Sequence, residues 1–412
     1  MRISVVGCGK LGLSMTAYYA SKGHNVIAID NNEDVIAKLN NSECHIQEPG
    51  LKELLDSTRH NIIYSHNYLS TVITDLCFVI VPTPTDDTGE FSNDYILQVL
   101  PKIESNVIVI VSTVKLGSMR SFSKLTTKAL IYNPEFVALG SVIHDMSQPD
   151  MLLIGEEYED SREGSLLVDF FHQTYNGLIP TIHRMTWENA EVAKLSLNCT
   201  ITTKISIANT IAEVCSKIPS GNIDKITNFL GDDRRIGKKY FTGGLPFSGT
   251  CFPRDNRAFV QMANRIGTKP FIQQAVDNFN TQYQHTIIDN IEQLITEDTK
   301  KISLLGVAYK TGTPVTEESI AISIAEYFTD TYGVEIGVYD KLAKLPNTVS
   351  YNTIEECLTN SDLAIILLQE MEFKKLPTEL MRTKIIYDAW RWIDKSSLTS
   401  DVKYYALGIN NE

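Results

Sequence analysis

The 412-residue chain lacks four things that would each set its class: cysteines at paired spacing, an excess of basic charge, a long apolar run and any low-complexity segment. Its seven cysteines, at positions 8, 44, 77, 199, 215, 251 and 357, are odd in number, scattered and never in C-x-x-C spacing. That excludes a zinc framework and a disulfide scaffold, so no metal is expected, and reduced thiols point to a cytoplasmic protein. With 37 Lys and Arg against 50 Asp and Glu the net charge is −13. This excludes a nucleic-acid partner, because a phosphate backbone demands a basic surface. A small anionic ligand stays open, since a few local cations hold one. No run reaches the ~20 apolar residues of a membrane span, so no membrane association is expected. Met1-Arg2-Ile3-Ser4-Val5-Val6-Gly7 enters a strand at once, without the apolar stretch of a secretory leader.

What is present is an ordinary globular balance, 43% hydrophobic and 21% charged, over a length that suggests two or three domains. Apolar runs at 2–6, 25–30, 76–81, 107–112, 129–132 and 151–154 alternate with helical stretches. Their continuous apolar character predicts strands covered on both faces, hence a parallel sheet. From 186 to 216 there is neither Pro nor Gly, and Val192, Leu195, Cys199, Ile205, Ala208, Ile211 and Cys215 recur at helical spacing. One long helix is expected there, buried at an interface. The strand pattern restarts at 301–308, 334–339, 362–368 and 384–388. The fold class is α/β: two doubly wound Rossmann-like domains, 1–183 and 298–412, joined by a long central helix within a helical region at 184–297.

Gly7-Cys8-Gly9-Lys10-Leu11-Gly12 follows the first strand and precedes a helical pattern. A lone G-x-G-x-x-G carries little, but this one has the strand–turn–helix context, and Asp30 ends the next strand. Such glycines permit a tight turn, backbone approach to a pyrophosphate and close helix packing, with the helix N-terminus favouring the anion. An acid at position 30 accepts from ribose hydroxyls. Asn31 and Asn32 follow it, with no Arg for a 2′-phosphate, so the cofactor expected is NAD rather than NADP. Two loops at carboxyl ends of strands, Val81-Pro82-Thr83-Pro84-Thr85 and Ser112-Thr113-Val114, lie where an open sheet binds ligands. Pro82, Thr83, Ser112 and Thr113 join the candidate cofactor set.

Three features bear on chemistry. Glu135, in Asn133-Pro134-Glu135-Phe136, ends a strand and reads either as a general base or as a solvated loop glutamate. Lys194 and Asn198 lie four apart on the long helix and share a face; they form either an exposed pair or a site for the oxyanion of a tetrahedral carbon. Cys251 lies in Pro246-Phe247-Ser248-Gly249-Thr250-Cys251-Phe252-Pro253-Arg254-Asp255, a loop by its Gly, Ser and Pro content. It is either a packed thiol or a nucleophile with Arg254 and Asp255 as partners. A hydride-acceptor site together with a loop thiol suggests aldehyde oxidation through a thioester.

These motifs, with Glu191-x-x-Lys194-Leu195-x-x-Asn198, Arg235-Ile236-Gly237 and Leu305-Gly306-Val307-Ala308-Tyr309-Lys310, together resemble the nucleotide-sugar 6-dehydrogenases, nearly end to end. The resemblance implies that a sugar C6 alcohol is oxidised to the aldehyde with one NAD. Cys251 then adds, the adduct is oxidised with a second NAD, and the thioester is hydrolysed to a uronate. It implies that Lys194 and Asn198 stabilise the oxygen anion, that Asp255 assists proton transfer, that an ordered water joins Thr113, Lys194 and Asp255, and that Glu135 serves hydrolysis. Phe136, Val137, Arg235, Tyr240, Phe247, Gly249 and Lys310 would contact substrate, Arg235 from a partner subunit, and the helical region would form a homodimer. UDP-glucose is the default substrate. A UDP-N-acetylhexosamine or GDP-mannose is the alternative, and a non-catalytic nucleotide-sugar-binding homologue the rival outside catalysis. The chain departs from the family pattern at Leu139, Met151, Val315, Glu317 and the lead-in Pro246-Phe247-Ser248, which bear on the sugar rather than on the reaction.

Overall fold

The computed structural model describes residues 1–85, 89–176 and 179–410. It divides into two compact units, Met1–Leu197 and Asn198–Glu412, and the division falls inside a single 31-residue helix, Trp187–Lys217. The absence of Pro and Gly from this stretch is what lets the helix run so far.

In the first unit eight strands form one sheet: β1 (Arg2–Val6), β2 (Asn25–Ile29), β3 (Ile62–Ser65), β4 (Leu76–Val79), β5 (Val107–Ile110), β6 (Ala129–Tyr132), β7 (Met151–Glu156) and β8 (Thr181–Thr186). Their spatial order is β3-β2-β1-β4-β5-β6-β7-β8. The chain therefore reverses its direction of growth between β1 and β4, the switch point at which such sheets bind ligands. Alternate side chains feed two separate cores. Ile3, Val5, Val26, Ala28, Phe78 and Val109 face one, while Val6, Ile27, Ile29, Val79, Ile108 and Ile110 face the other. A period of two with both faces covered is what the continuous apolar runs encode.

The continuous apolar runs predict a parallel sheet, and β7 departs from it by pairing antiparallel with β6 at Tyr132 and Gly155. Those runs do not mark β3 and β8. Both are edge strands, and β8, Thr181-Ile182-His183-Arg184-Met185-Thr186, is polar and partly exposed, so it carries no buried apolar run to read.

In the second unit six strands lie in parallel: β9 (Lys301–Leu305), β10 (Glu335–Tyr339), β11 (Val349–Ser350), β12 (Leu363–Ile366), β13 (Ile385–Asp388) and β14 (Lys403–Ala406). The order is β11-β10-β9-β12-β13-β14, with its own switch point between β9 and β12. The unread strands are again the two edges. The helices Phe252–Arg265 and Phe271–Glu292 precede this sheet, and Tyr283, Ile287 and Ile291 of the latter belong to its core. Among the described residues no helix is long and apolar enough to cross a membrane.

Candidate active site

The glycine turn has the form a pyrophosphate requires. Gly7 has φ +105°, and a Cβ there would fall 2.1 Å from the Ile80 carbonyl oxygen. A Cβ on Gly12 would fall 1.9 Å from the Gly7 oxygen, so the helix Lys10–Ser21 packs against the turn only because the side chain is absent. A Cβ on Gly9, the residue capping that helix, would meet nothing within 4 Å. The middle glycine thus faces open space at a helix N-terminus, where first-turn N–H groups lack intrahelical partners. Lys10 is exposed and Leu11 half-buried beside it.

Asp30 does more than expected. Its carboxylate accepts from the Cys8 amide at 2.8 Å and from the Asn32 amide at 2.9 Å, tying β2 to the glycine turn. A carboxylate offers about four lone-pair sites, so capacity remains for ribose hydroxyls. The second unit repeats the device. Gly306 donates to the Tyr339 carbonyl as Gly7 does to Ile29, and Asp340 stands where Asp30 stands. Asp340, however, accepts from four amides, those of Val307, Ala308, Leu342 and Ala343. Its acceptor sites are filled, so it braces its turn rather than reading a ribose. Asp30→Ala is expected to weaken NAD binding about 10- to 100-fold, the loss of one or two hydrogen bonds to a charged group. Titration calorimetry measures it, and an unchanged affinity removes the ribose assignment.

The other candidate cofactor residues divide. Ser112 donates to the Val81 carbonyl at 2.7 Å and accepts from the Val81 amide at 2.9 Å, so its hydroxyl locks the end of β5 to that of β4. Thr83 is buried and Pro82 exposed, while Thr113 lies half-buried on the loop after β5. That loop runs into the short helix Ser118–Phe122, whose start is held by Glu191, a fully buried residue that the sequence marked only as part of a motif. Glu191 accepts from the amides of Gly117 at 2.6 Å and Met119 at 2.8 Å. Burial outweighs those two bonds and pushes its carboxyl up to about 7.

Glu135 and Lys194 meet in the first unit. The Lys194 ammonium donates to the Glu135 carbonyl at 2.6 Å and lies 4.6 Å from the centroid of the Phe136 ring. Lys194 is 8% exposed, so its charge is largely withdrawn from water. Burial raises the Glu135 carboxyl to about 7 against the opposing pull of Lys194 and of the Phe136 amide. A carboxyl at that value is half-ionised at neutral pH, the condition for passing protons in either direction. Val137 and Leu139 pack partly buried against the core of this unit.

Asn198 and Asp255 meet in the second, Asp255 on the helix that Cys251 begins. Cys251 is exposed and caps the 14-residue helix Phe252–Arg265. It therefore lies where unpaired N–H groups and the positive end of the helix dipole favour developing negative charge. Pro253 occupies the first turn, where its missing N–H costs nothing. One turn on, Asp255 is 1% exposed; it accepts from the Asn198 amide at 2.6 Å and pairs with Arg254 at 3.3 Å. The structure thus gives Arg254 and Asp255 to each other and makes Asn198 the residue that orients the carboxylate. Gly249, at φ +82°, donates to the Glu317 carbonyl, and a Cβ there would lie 2.4 Å from the Tyr309 ring. Tyr240 is half exposed and meets Phe252 edge to face at 5.9 Å. Phe247 is buried, Lys310 half-buried, and Arg235 projects into solvent paired with Asp233 at 2.6 Å.

Three stretches of the chain match the UDP-glucose/GDP-mannose dehydrogenase family: its NAD binding domain at residues 1–175, its central domain at 188–282 and its UDP binding domain at 303–395. The chain belongs to the UDP-glucose/GDP-mannose dehydrogenase family. Members of this family are NAD-dependent nucleotide-sugar dehydrogenases, and NAD is the cofactor of this chain. It is 29% identical to the UDP-glucose 6-dehydrogenase YwqF of Bacillus subtilis, over 99% of this chain and 98% of that one. Among solved structures it is similar to a UDP-glucose dehydrogenase from Pyrobaculum islandicum, with TM-score 0.86, 23% identity and coverage of 99% and 98% of the two chains. It is likewise similar to a UDP-D-ManNAc dehydrogenase from Pyrococcus horikoshii, with TM-score 0.84, 21% identity and full coverage of both. These two likenesses establish the fold.

For a UDP-glucose/GDP-mannose dehydrogenase, the buried asparagines Asn209 and Asn280 are the side chains that sequence reasoning passed over. Both hold the main chain ahead of Cys251. A polar residue on an otherwise apolar helix face was the available signal.

Proposed function

We propose that the chain oxidises the C6 alcohol of UDP-glucose to the carboxylate, a four-electron change carried through a thioester on Cys251. The observation that carries this reading is an exposed thiol at the N-cap position of a helix, one turn from a buried carboxylate held by Asn198 and Arg254. NAD, when bound at the 7–12 turn beside Asp30, supplies the hydride acceptor. An aldehyde yields a second hydride only from a tetrahedral adduct. The Cys251 sulfur forms that adduct by bonding to C6, and the thiol proton passes towards Asp255. Loss of hydride leaves a thioester, and water breaks the C–S bond to return the thiol. In all, two hydrides and three protons leave the alcohol and one water, giving the carboxylate. The roles assigned are stabilisation of the charge on oxygen by Lys194 and Asn198, help from Thr113 in holding an ordered water, and removal of the proton of the hydrolytic water by Glu135.

UDP as the nucleotide rests on the UDP binding domain matched at 303–395, and glucose on relatives such as YwqF. Phe136, Val137, Tyr240, Phe247, Gly249 and Lys310 are the proposed substrate contacts. A homodimer is supported by Ile207 and Val214, 51% and 53% exposed two turns apart on the long helix, and by Ile218 just beyond its end, 43% exposed. In such a dimer Arg235, outstretched in one chain, reaches the partner's sugar. Uniformly free cysteines among the described residues accord with a cytoplasmic enzyme.

The test is a panel of UDP-glucose, UDP-N-acetylhexosamines and GDP-mannose with NAD, counting NADH per sugar consumed. Two NADH per UDP-glucose, with the highest kcat/KM in the panel, is expected. One NADH with a released aldehyde overturns the four-electron reading, and a higher kcat/KM for another sugar overturns the substrate.

A further inference from the structure

Residues 243–249 lead into Cys251 without any regular secondary structure, so their main-chain polar groups need partners from elsewhere. Two buried asparagines supply them. Asn280, 5% exposed on the helix Phe271–Glu292, accepts from the Phe247 amide at 2.9 Å and donates to the Phe247 carbonyl at 2.9 Å. Asn209, 1% exposed on the long helix, accepts from the Gly244 amide at 2.9 Å and donates to the Leu245 carbonyl at 3.2 Å. Arg391 adds a bond to the Gly243 carbonyl at 2.7 Å, and Gly249 is fixed on the Glu317 carbonyl at 2.9 Å. A carboxamide is the small side chain that serves one N–H and one C=O at once. Both clamps use both functions, and both grip the same seven-residue loop.

We infer that Asn280 and Asn209 are positioning residues for the thiol: they fix the loop so that the Cys251 sulfur meets C6 in attacking geometry. This rests on the thioester reading above. The two hydride steps depend unequally on the loop. The first, from the alcohol, needs no sulfur. The second needs a C–S bond, and a displacement of about 1 Å in a reacting group costs up to about 100-fold. Asn280→Asp keeps the volume and the acceptor but turns a carboxylate oxygen on the Phe247 carbonyl, so it isolates the clamp from the packing.

The experiment is rapid mixing of the full chain, wild type and Asn280→Asp, with NAD and UDP-glucose, following each NADH equivalent. In the variant the first equivalent is expected within about threefold of the wild-type rate and the second slowed about 10- to 100-fold, with aldehyde trapped by semicarbazide. KM for NAD is expected to stay within about threefold. Slowing of both equivalents alike overturns the positioning role, and so does slowing of neither. Asn209→Ser, which leaves the Phe247 clamp in place, carries the same comparison where Asn280→Asp does not fold. A wild type that yields one NADH per sugar sinks the thioester reading. A wild type that yields two, with a variant that shows no split, sinks only the clamp.

Discussion

Cys251→Ser is expected to lower uronate formation by about 10³-fold or more, in line with the cost of deleting a nucleophile elsewhere, while binding of the nucleotide sugar stays within about threefold. The argument starts from access. Cys8, Cys77, Cys199, Cys215 and Cys357 are buried and Cys44 is partly so, which leaves Cys251 as the exposed thiol among the described residues. Burial pushes the thiols of Cys77 and Cys199 up to about 12 and that of Cys357 to about 11. They stay protonated near neutral pH and attack nothing. Cys251→Ser keeps the size of the side chain and the neighbouring Asp255 but offers a hydroxyl, a far poorer nucleophile than a thiolate. The first hydride step needs no sulfur, so one NADH per site still appears in rapid mixing, and the missing product is the uronate. Iodoacetamide is expected to inactivate the wild type and to leave that residual step in the variant unchanged. Uronate at the wild-type rate from Cys251→Ser removes the thioester.

The cofactor half of this arrangement was written locally in the chain. A strand, three glycines and an aspartate at the end of the next strand lie within thirty residues of each other, and each is required by backbone geometry rather than by a distant partner. The long helix was equally legible, because helix interiors reject Pro and Gly whatever surrounds them. The edge strands β3, β8, β11 and β14 were not legible, since an edge strand buries too little to need an apolar run. The chemical half was visible as residue types and invisible as pairings. Lys194 and Asn198 share a helix face, yet Lys194 bonds to Glu135, 59 positions away, and Asn198 to Asp255, 57 positions away. Arg254 and Asp255 are candidate partners of the thiol by their nearness in sequence, and the pair they form with each other is not written there. Asn209 and Asn280 stood out only as polar residues on helices, and what they hold was hidden: the partners of their side chains are main-chain groups, which every sequence has everywhere.

The Lys194–Glu135 pair yields the second large effect, and it has two parts of defined sign. Lys194→Met keeps a long unbranched stem over the Phe136 ring and deletes the ammonium. If the ammonium faces the oxygen on which charge develops, its loss costs about 10²- to 10³-fold in kcat, the range for removing one preorganised donor to an oxyanion. The same charge also acts on Glu135, whose carboxyl stands at about 7 with burial raising it and Lys194 lowering it. Taking away the lowering influence leaves burial unopposed except by the Phe136 amide, so the carboxyl moves further up. Glu135 works as a base in its ionised form. Activity in the wild type is therefore expected to rise with pH through about 7, and in Lys194→Met the residual activity is expected to rise at higher pH. A profile of kcat from pH 6 to 10 on both proteins measures the two parts together. A lower kcat with an unmoved acid limb would separate the oxyanion role from any effect on Glu135. A kcat within threefold of wild type would remove Lys194 from the chemistry altogether, leaving it as a buried cation held by a carbonyl and an aromatic face.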